Sequence, residues 1–401
     1  MSDLNSLAEQ YSTPLYVYDF DEISERFNEL KLAFKGRKSI ISYAVKSNSN
    51  MSVIQHLGAM DAGADCVSIG EVKRAFAAGI PKYKIIFSGV GKRDDEIREA
   101  LALDILFINL ESEAEMKRVE LIARDLDIKA RISIRVNPNI DPKTHPYIST
   151  GLHENKFGVE FDVAKRMYIL AKQSDFLDPV GVHFHIGSQL TELQPIVESA
   201  TIVADLVRSL KSIDIELKFF DIGGGLGVVY DNETTIEPYE YAQAIMSCLT
   251  GLDLTVVLEP GRYIMANAGV FLTKVLYEKI NGDKRFVIVD GAMNDLLRPS
   301  LYNAYHKVEL FGKDEDKTKA DIVGPVCESG DFLAKDVEIS PTNHNDLIVV
   351  KSAGAYGFVM SSNYNTRGRA AEVALENGKA RLIRPRERYE DLVSSELGLM
   401  K

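Results

Sequence analysis

Four short segments of the chain carry side chains that could take part in one reaction. The first holds Lys46, which follows the apolar run at residues 40–45 and precedes the polar stretch SNSN. This pattern predicts a buried strand with a lysine at its carboxyl end. An amine in that position could have a lowered pKa and form a Schiff base with a carbonyl compound. The alternative is a lysine whose stem lies on apolar side chains while its amine reaches water.

The second segment contains two histidines. His183 and His185 are two residues apart in the strand-like run VGVHFHIG, so both side chains should point to one face. A metal pair is one interpretation, but His56, His145, His153, His306 and His344 show no partner at ligand spacing. We therefore predict no metal site. His185 is expected to stack on a flat ring, while a buried core position suits His183 better.

The third and fourth segments are DIGGGLG, at residues 221–227, and LEPGR, at residues 258–262. Glycine backbone N–H groups after a strand could hold a phosphate, although the same glycines could simply form a tight turn. Val228 occupies the place of the third glycine of a dinucleotide fingerprint. Glu259 ends an apolar strand and needs a partner, either Arg262 or the nitrogen of a protonated pyridine ring. Taken with Lys46 and His185, these features describe one cofactor, pyridoxal 5′-phosphate.

A regular alternation of strands and helices would position these segments. Eight strand-like runs end near Lys46, Ile69, Ser88, Leu110, Asn137, Gly187, Gly223 and Glu259, with helical patterns between them. Eight such units in about 250 residues predict an α/β fold of the (β/α)8 TIM-barrel type. A doubly wound sheet is the alternative, since counting strands does not establish closure. Barrel enzymes bind their substrates at the carboxyl ends of the strands, where all four segments lie.

The alternation stops near residue 270, and the remaining chain has strand-like runs separated by glycine-rich turns. We therefore predict two domains. The barrel would span residues 21–268, and a β-rich domain of sandwich or barrel type would contain residues 269–401 together with residues 1–20.

Composition excludes several classes of partner. The 401 residues carry a formal net charge of −12, which argues against nucleic acid or an anionic membrane as a partner. No apolar run approaches the roughly 20 residues of a membrane span, and the first residues lack the pattern of a secretory signal. Three scattered cysteines form neither a disulfide framework nor a zinc motif. We expect a cytoplasmic protein.

The motifs YAVKSN, HFHIGSQ, DIGGGLG and LEPGR resemble those of the pyridoxal-phosphate decarboxylases of the alanine-racemase-like barrel family, fold type III. The resemblance covers nearly the whole chain. Residues 137–158, 298–302, 324–331 and 353–356 are similar to the branch of the family that acts on diaminopimelate. Ser47, Ser300 and the Asp336–Val337 pair are small departures from the family pattern.

The resemblance implies a role for each matching residue. Lys46 would hold the cofactor as a Schiff base, His185 would stack on its ring, and Glu259 would bind the ring nitrogen. The phosphate would be held by Ser188, Gly224, Gly225, Gly261, Arg262 and Tyr356. The substrate would be bound by Arg262, Arg298, Tyr302, Glu328 and Tyr356. Cys327 would donate a proton, and because Cys327 and Glu328 come from a second subunit in this family, a homodimer with a shared active site is expected.

The resemblance thus implies decarboxylation of meso-2,6-diaminopimelate to L-lysine and carbon dioxide, the last step of lysine biosynthesis. Four alternatives remain open. They are a related decarboxylase acting on ornithine, lysine or carboxynorspermidine, a racemase, a non-catalytic pyridoxal-phosphate carrier, and a metal-dependent barrel hydrolase. Glu259 argues against a racemase, which needs an unprotonated ring nitrogen. Carriers resemble the barrel alone, and this chain has a second domain as well.

Overall fold

The structure, a computed structural model, describes residues 4–141 and 156–400. The chain forms two compact units. The barrel unit comprises Ser24–Val228 and Thr234–Tyr263, and the second unit comprises the residues up to Ile23, the segment Val229–Glu233 and the chain from Ile264 onward. The boundaries predicted from the sequence, residues 21–268 for the barrel, do not separate the short segment Val229–Glu233, which belongs to the second unit.

The described chain begins with helix α1 (Leu4–Tyr11), strand β1 (Leu15–Asp19) and helix α2 (Phe20–Ala33). Asp19 caps α2, because its Oδ1 accepts hydrogen bonds from the backbone N–H groups of Asp21 and Glu22 at 2.9 and 3.1 Å. Helix α1 was not predicted from the sequence, because its eight residues give only a short apolar pattern.

The barrel is closed, which confirms the TIM-type prediction and removes the doubly wound alternative. Strands β2 and β9 pair in parallel, with Ser39 opposite Val256 and Ile41 opposite Leu258. The eight strands, in their order around the barrel, are β2 (Ser39–Ala44), β3 (Gly63–Cys66), β4 (Ile85–Phe87), β5 (Phe107–Leu110), β6 (Ala130–Arg135), β7 (Leu177–His183), β8 (Phe219–Asp221) and β9 (Thr255–Leu258).

Seven helices follow these strands along the described chain: α3 (Met51–Ala59), α4 (Ile69–Ala77), α5 (Asp94–Ala102), α6 (Glu113–Asp125), α7 (Phe161–Gln173), α8 (Gln194–Lys211) and α9 (Pro238–Cys248). The strand predicted to end near Ile69 is present, but its predicted end was wrong. Strand β3 stops at Cys66, and the Ser68 side chain accepts a hydrogen bond from the backbone N–H of Glu71, which starts α4 at Ile69. A serine three residues before a glutamate is a helix-start signal that outweighs the short apolar run.

Apolar side chains from several barrel strands pack together. Ile86, Phe107, Val180 and Val257, from β4, β5, β7 and β9, form one buried cluster with Leu106. Burying an aliphatic or phenyl side chain of this size contributes about 1.5–3 kcal/mol each. The packing fixes the strands, and with them the loops at the strand ends.

The second unit is β-rich, as predicted, and strand β1 belongs to it. Its nine-stranded mixed sheet runs in the order β14-β13-β11-β10-β1-β16-β17, with β15 paired to β10 and β12. The strands are β10 (Gly269–Asn281), β11 (Lys284–Val289), β12 (Val308–Leu310), β13 (Thr318–Val323), β14 (Phe332–Ile339), β15 (Leu347–Val350), β16 (Ala371–Glu376) and β17 (Lys379–Arg384). The last helices are α10 (Arg262–Met265), α11 (Arg298–Tyr302) and α12 (Tyr389–Leu397).

Within the described residues, the helices are too short or too polar to cross a lipid bilayer.

Candidate active site

Backbone hydrogen bonds beyond the strand ends join the four chemical segments. Ala44 N–H donates to the Pro260 carbonyl at 3.1 Å, Glu259 N–H to the Gly223 carbonyl at 2.8 Å, and Phe184 N–H to the Asp221 carbonyl at 3.0 Å. These bonds link β2 to β9, β9 to β8, and β8 to β7. The lysine, glutamate, glycine and histidine segments therefore lie side by side at the carboxyl ends of four neighbouring strands.

Lys46 lies just beyond β2, in a single 3₁₀ turn formed by Val45–Ser47. The Ser47 hydroxyl donates to the Ala44 carbonyl at 2.8 Å, which fixes the turn. The Lys46 side chain is 39% exposed, and its Nζ lies 3.8 Å from Oδ2 of the fully buried Asp65. The amine is thus held next to a carboxyl group while remaining accessible.

Asp65 lies in strand β3 and is part of a buried polar chain. The Ser88 hydroxyl donates to Asp65 Oδ1 at 2.7 Å, and Asn109 Nδ2 donates to Ser88 Oγ at 3.0 Å. Burial raises the pKa of Asp65 to about 7, with a further contribution from the charge of Glu259, while Lys46 and the Ser88 hydrogen bond oppose the shift. Asp65 can therefore take up or release a proton beside Lys46 near neutral pH.

His185 follows β7 and is held through its backbone. Its carbonyl accepts a hydrogen bond from Arg135 Nη2 at 3.4 Å, and Arg135 Nη1 in turn pairs with Glu111 at 2.9 Å. Burial, reinforced by the charges of Lys46 and Arg135, lowers the pKa of His185 well below its usual value. The imidazole is therefore neutral, and its flat face is suited to stacking on an uncharged or cationic ring.

Glu259, His183 and Asp221 form a buried cluster in which one ligand-type atom of each lies within 4.8 Å of the others. His183 Nε2 lies 3.4 Å from Glu259 Oε2. Burial by itself would raise the pKa of Glu259, but the charges of His183 and Lys46 lower it below its usual value. Burial and the charge of Glu259 raise the pKa of Asp221 well above its usual value. Glu259 is therefore the anion of the cluster, and Asp221 remains protonated.

This cluster has the composition of a metal site, whereas the sequence suggested a metal only for the His183–His185 pair. A metal ion bound here would have to displace the proton of Asp221, because ligating carboxylates must be ionised. The close approach of Asp221 and Glu259 is explained as well by a proton shared between the two buried carboxyl groups as by a metal ion. In the structure Glu259 lies next to His183, whereas Arg262 was one of the partners expected from the sequence.

The glycine loop owes its shape to residues without side chains. Gly223 and Gly225 have φ values of +65° and +111°, a region that other residues rarely adopt. A Cβ on Gly224 would collide with the Glu259 carbonyl oxygen, and one on Gly261 would come within 2.9 Å of the Ser47 Cβ. These glycines keep the backbone open next to Glu259 and Ser47.

Ser188 and Arg262 lie beyond β7 and β9, respectively. Arg262 is buried, and its Nε and Nη2 atoms donate to Ser188 Oγ at 3.3 and 3.1 Å. The structure thus brings together two of the residues predicted to hold the phosphate.

These features fit pyridoxal phosphate. Among the described residues, Glu259 Oε1 is buried with no hydrogen-bond partner, and such an oxygen is costly unless a ligand supplies a donor. A protonated ring nitrogen is a suitable donor. An accessible amine at Lys46, a neutral imidazole at His185 and an open glycine backbone meet the other requirements of the cofactor.

The remaining predicted residues belong to the second unit. Arg298, the first residue of α11, is buried; its Nε lies 3.3 Å from His306 Nε2, and its guanidinium lies over the rings of Tyr230 and Tyr302 at 5.4 and 6.0 Å. Tyr356 has a φ of +57°, an uncommon value for a bulky residue that often occurs at functional sites.

Cys327 and Glu328 are exposed on the second unit. The Cys327 backbone N–H donates to Asn365 Oδ1 at 3.1 Å, and the Tyr364 hydroxyl donates to Glu328 Oε2 at 3.3 Å. Asp331 fixes the loop by accepting from the N–H groups of Met293 and Val326, each at 2.7 Å. Cys327 therefore lies outside the core of the second unit.

Sequence reasoning missed several polar residues of the barrel site, namely Asp65, Ser88, Asn109, Glu111, Arg135 and Asp221. Each lies within or just beyond a short apolar strand, and each is buried. A buried polar group at a strand end is therefore the signal that could have found them. The segment 142–155, which holds most of the predicted motif at residues 137–158, lies outside the described residues.

Comparison with known proteins agrees with this geometry. Residues 20–266 match the family model described as "Pyridoxal-dependent decarboxylase, pyridoxal binding domain". Diaminopimelate decarboxylase of Campylobacter jejuni is 60% identical over 400 residues, covering 100% of both chains. The crystal structure of diaminopimelate decarboxylase from Helicobacter pylori complexed with L-lysine has a TM-score of 0.97 and 54% identity, covering 99% of this chain and 100% of that one. The family model covers more than half of the chain, and diaminopimelate decarboxylases match it over its full length. The chain therefore belongs to the pyridoxal-dependent decarboxylases and, within them, to the diaminopimelate decarboxylase family.

Proposed function

We propose that this chain removes carbon dioxide from meso-2,6-diaminopimelate and releases L-lysine, as the last step of lysine biosynthesis. The observation that carries the chemistry is the placement of Lys46, His185, the glycine loop and Glu259 on four neighbouring strand ends of one barrel. The choice of substrate rests on the family, whose members match this chain from end to end.

The barrel residues would hold and tune the cofactor. When bound, pyridoxal phosphate supplies an electron sink for the carbanion left by departing carbon dioxide. Lys46 would anchor the cofactor through its amine, and Glu259 would keep a proton on the ring nitrogen. His185 would stack on the ring. Asp65, with its pKa near neutrality, would exchange a proton with the Lys46 amine.

The phosphate would be bound by the glycine loop and its neighbours. Gly224, Gly225 and Gly261 leave backbone open, and Ser188 and Arg262 supply a hydroxyl and a cation that already contact each other. Tyr356 would complete this set.

The substrate has a second amino-acid terminus that needs its own contacts. Arg262, Arg298 and Tyr302 would bind its distal carboxylate, since guanidinium groups recognise carboxylates bidentately. Glu328 would bind the distal ammonium, and Tyr356 would contact the substrate as well. Cys327 would protonate the carbon atom that has lost carbon dioxide. Cys327 is exposed and is followed by the polar segment 328–331, so its thiol is accessible to a bound substrate.

We further propose a homodimer in which Cys327 and Glu328 complete the active site of the partner subunit. Their exposure on the second unit supports this assignment. The scattered free cysteines are consistent with the reducing cytoplasm, which we propose as the location.

The test is release of carbon dioxide from meso-diaminopimelate by the holoenzyme, compared with L-ornithine and L-lysine as substrates. We expect turnover of diaminopimelate and much less of the others. Borohydride reduction followed by peptide mass spectrometry should place the cofactor on Lys46. Preferred turnover of ornithine would favour a related decarboxylase, and cofactor binding without turnover of any amino acid would favour a carrier. Activity that requires an added metal ion would instead favour a hydrolase at the His183 cluster.

A further inference from the structure

His306 makes two hydrogen bonds that can coexist in only one protonation state. Arg298 Nε donates to His306 Nε2 at 3.3 Å, and His306 Nδ1 lies 2.9 Å from the Lys351 carbonyl oxygen. A guanidinium has no acceptor, so Nε2 must carry a lone pair. A carbonyl has no donor, so Nδ1 must carry the proton. The geometry thus requires a neutral imidazole protonated on Nδ1.

The backbone of the second unit holds this imidazole in place. His306 is buried and lies between α11 and β12. Strand β12 pairs with β15, and the Lys351 N–H, just beyond β15, donates to the Lys307 carbonyl at 2.9 Å. Lys307, the neighbour of His306, and Lys351, whose carbonyl lies next to His306 Nδ1, are therefore joined by the same backbone ladder. The ring of Tyr230 meets the imidazole edge-on, with ring centres 5.6 Å apart.

Arg298 is oriented by this fixed imidazole. Its Nε is engaged by His306, while the rings of Tyr230 and Tyr302 lie near its guanidinium carbon. A guanidinium can grip a carboxylate either through Nε and one terminal nitrogen or through both terminal nitrogens. Because Nε already donates to His306, a carboxylate bound by Arg298 would contact the two terminal nitrogens.

We propose that His306 is a positioning residue for substrate recognition. In its neutral Nδ1-protonated form it holds Arg298 so that the two terminal guanidinium nitrogens face the distal carboxylate of diaminopimelate. This inference rests on the proposed function, which assigns that carboxylate to Arg298. It predicts that His306 acts on substrate affinity and not on the chemical step.

Two conservative substitutions separate the two hydrogen bonds of the imidazole. In His306→Gln, the amide oxygen of the longer side chain can lie near the former position of Nε2 and still accept from Arg298. In His306→Asn, the shorter amide can reach the Lys351 carbonyl but not Arg298. We expect H306N to raise KM for meso-diaminopimelate roughly tenfold, the effect of losing one hydrogen bond to a charged group, with kcat within about twofold of the original. The KM of H306Q should stay within about threefold of the value for the original enzyme.

The matched control is His344→Asn. His344 is an exposed histidine of the same unit, and its Nδ1 also lies 2.9 Å from a backbone carbonyl, that of Leu276. H344N should leave KM and kcat unchanged. Calorimetric binding of L-lysine to the holoenzyme, with unfolding temperatures measured in parallel, should show the same ranking without turnover. Equal KM values for H306N, H306Q and the original enzyme would overturn the inference.

A measurement on the unmodified protein covers the case in which H306N does not fold. Labelling the seven histidines with nitrogen-15, and assigning His306 by the signal lost in H306Q, gives its tautomer from the two nitrogen shifts. A neutral ring protonated on Nδ1 supports the inference, and a ring protonated on Nε2 or on both nitrogens refutes it. If the unmodified holoenzyme releases no carbon dioxide from diaminopimelate, the proposed function fails. If it does so, and Arg298→Lys raises KM while H306N does not, only the role of His306 fails.

Discussion

Glu259→Gln is the substitution that most directly tests the cofactor chemistry. The side chain is 5% exposed, Oε2 lies 3.4 Å from His183 Nε2, and Oε1 is buried without a partner among the described residues. The charges of His183 and Lys46 keep the pKa of Glu259 low although burial acts the other way. The carboxylate is therefore an anion at the pH of the reaction. The amide introduced by E259Q has nearly the same shape and no charge.

The expected loss follows from the type of contact that is removed. A hydrogen bond between charged groups contributes about 1.5–3 kcal/mol, and about 1.4 kcal/mol corresponds to a factor of ten. Without the carboxylate, nothing at this position favours a proton on the ring nitrogen. We therefore expect kcat/KM for meso-diaminopimelate to fall roughly 10- to 150-fold. The cofactor absorption band should also shift, because the protonation state of the ring changes.

Asp221→Asn is the matched control within the same cluster. Burial and the charge of Glu259 raise the pKa of Asp221, so the side chain is already neutral. Its Oδ1 accepts from the Gly223 N–H at 2.9 Å, which an asparagine oxygen can also do. We expect kcat/KM to change less than about threefold. Rates should be normalised to bound cofactor. Equal losses in E259Q and D221N, or near-normal kcat/KM in E259Q, would refute the assignment of the charge to Glu259.

Three further substitutions test other parts of the molecule. Gly224→Ala should lower cofactor affinity and destabilise the fold by about 1–3 kcal/mol, because its Cβ collides with the Glu259 carbonyl oxygen. Gly36→Ala, with open space around its Cβ, should be silent in cofactor titration and thermal unfolding. Cys327→Ala should keep the absorption of the bound cofactor, but its kcat should fall roughly 100-fold or more. The control Cys248→Ala should leave kcat unchanged. Full activity of C327A would exclude the thiol as proton donor. Burial raises the pKa of Asp295 to about 7. Above about pH 4 the unfolded chain loses the proton of this carboxyl group, whereas the native state still holds it. The native state of the original protein is therefore stabilised less and less as the pH rises from about 4 to 7. Asp295→Asn should therefore gain stability relative to the original protein by on the order of 2 kcal/mol between about pH 5 and pH 8, and denaturant unfolding with identical pH dependence in both proteins would contradict this.

Most of the barrel could be predicted from the sequence, because its strands and helices are local patterns. The alternation of valine- and isoleucine-rich runs with amphipathic segments identified all eight strands. The boundary near Ile69 was misplaced, since the cap formed by Ser68 competes with an apolar run of similar length. The sequence contained no pattern from which we recognised that Val229–Glu233 belongs to the second unit.

The four segments that indicate the cofactor could also be recognised without coordinates. Lysine, histidine, glycines and glutamate at successive strand ends have few joint explanations, and the barrel rule brings strand ends together. The electrostatic setting could not be recognised. Asp65, Asp221 and Arg135 act through burial and through neighbours that lie far away in the sequence, such as Asp65 beside Lys46 and Arg135 beside His185.

The sequence by itself therefore determined the order of the elements and the class of cofactor, and it proposed candidate residues for binding it, since these depend on side-chain type and short-range periodicity. Only the tertiary structure decided which acid carries the charge and how Arg298 is oriented. Glu259 is the anion because His183 and Lys46 stabilise its charge, while Asp221 remains protonated in the same dry cluster. Arg298 is oriented because the pairing of β12 with β15 fixes the imidazole of His306. Both outcomes depend on distances of a few ångströms between side chains and backbone groups of different strands and loops. The low dielectric of the buried interior makes such distances decisive.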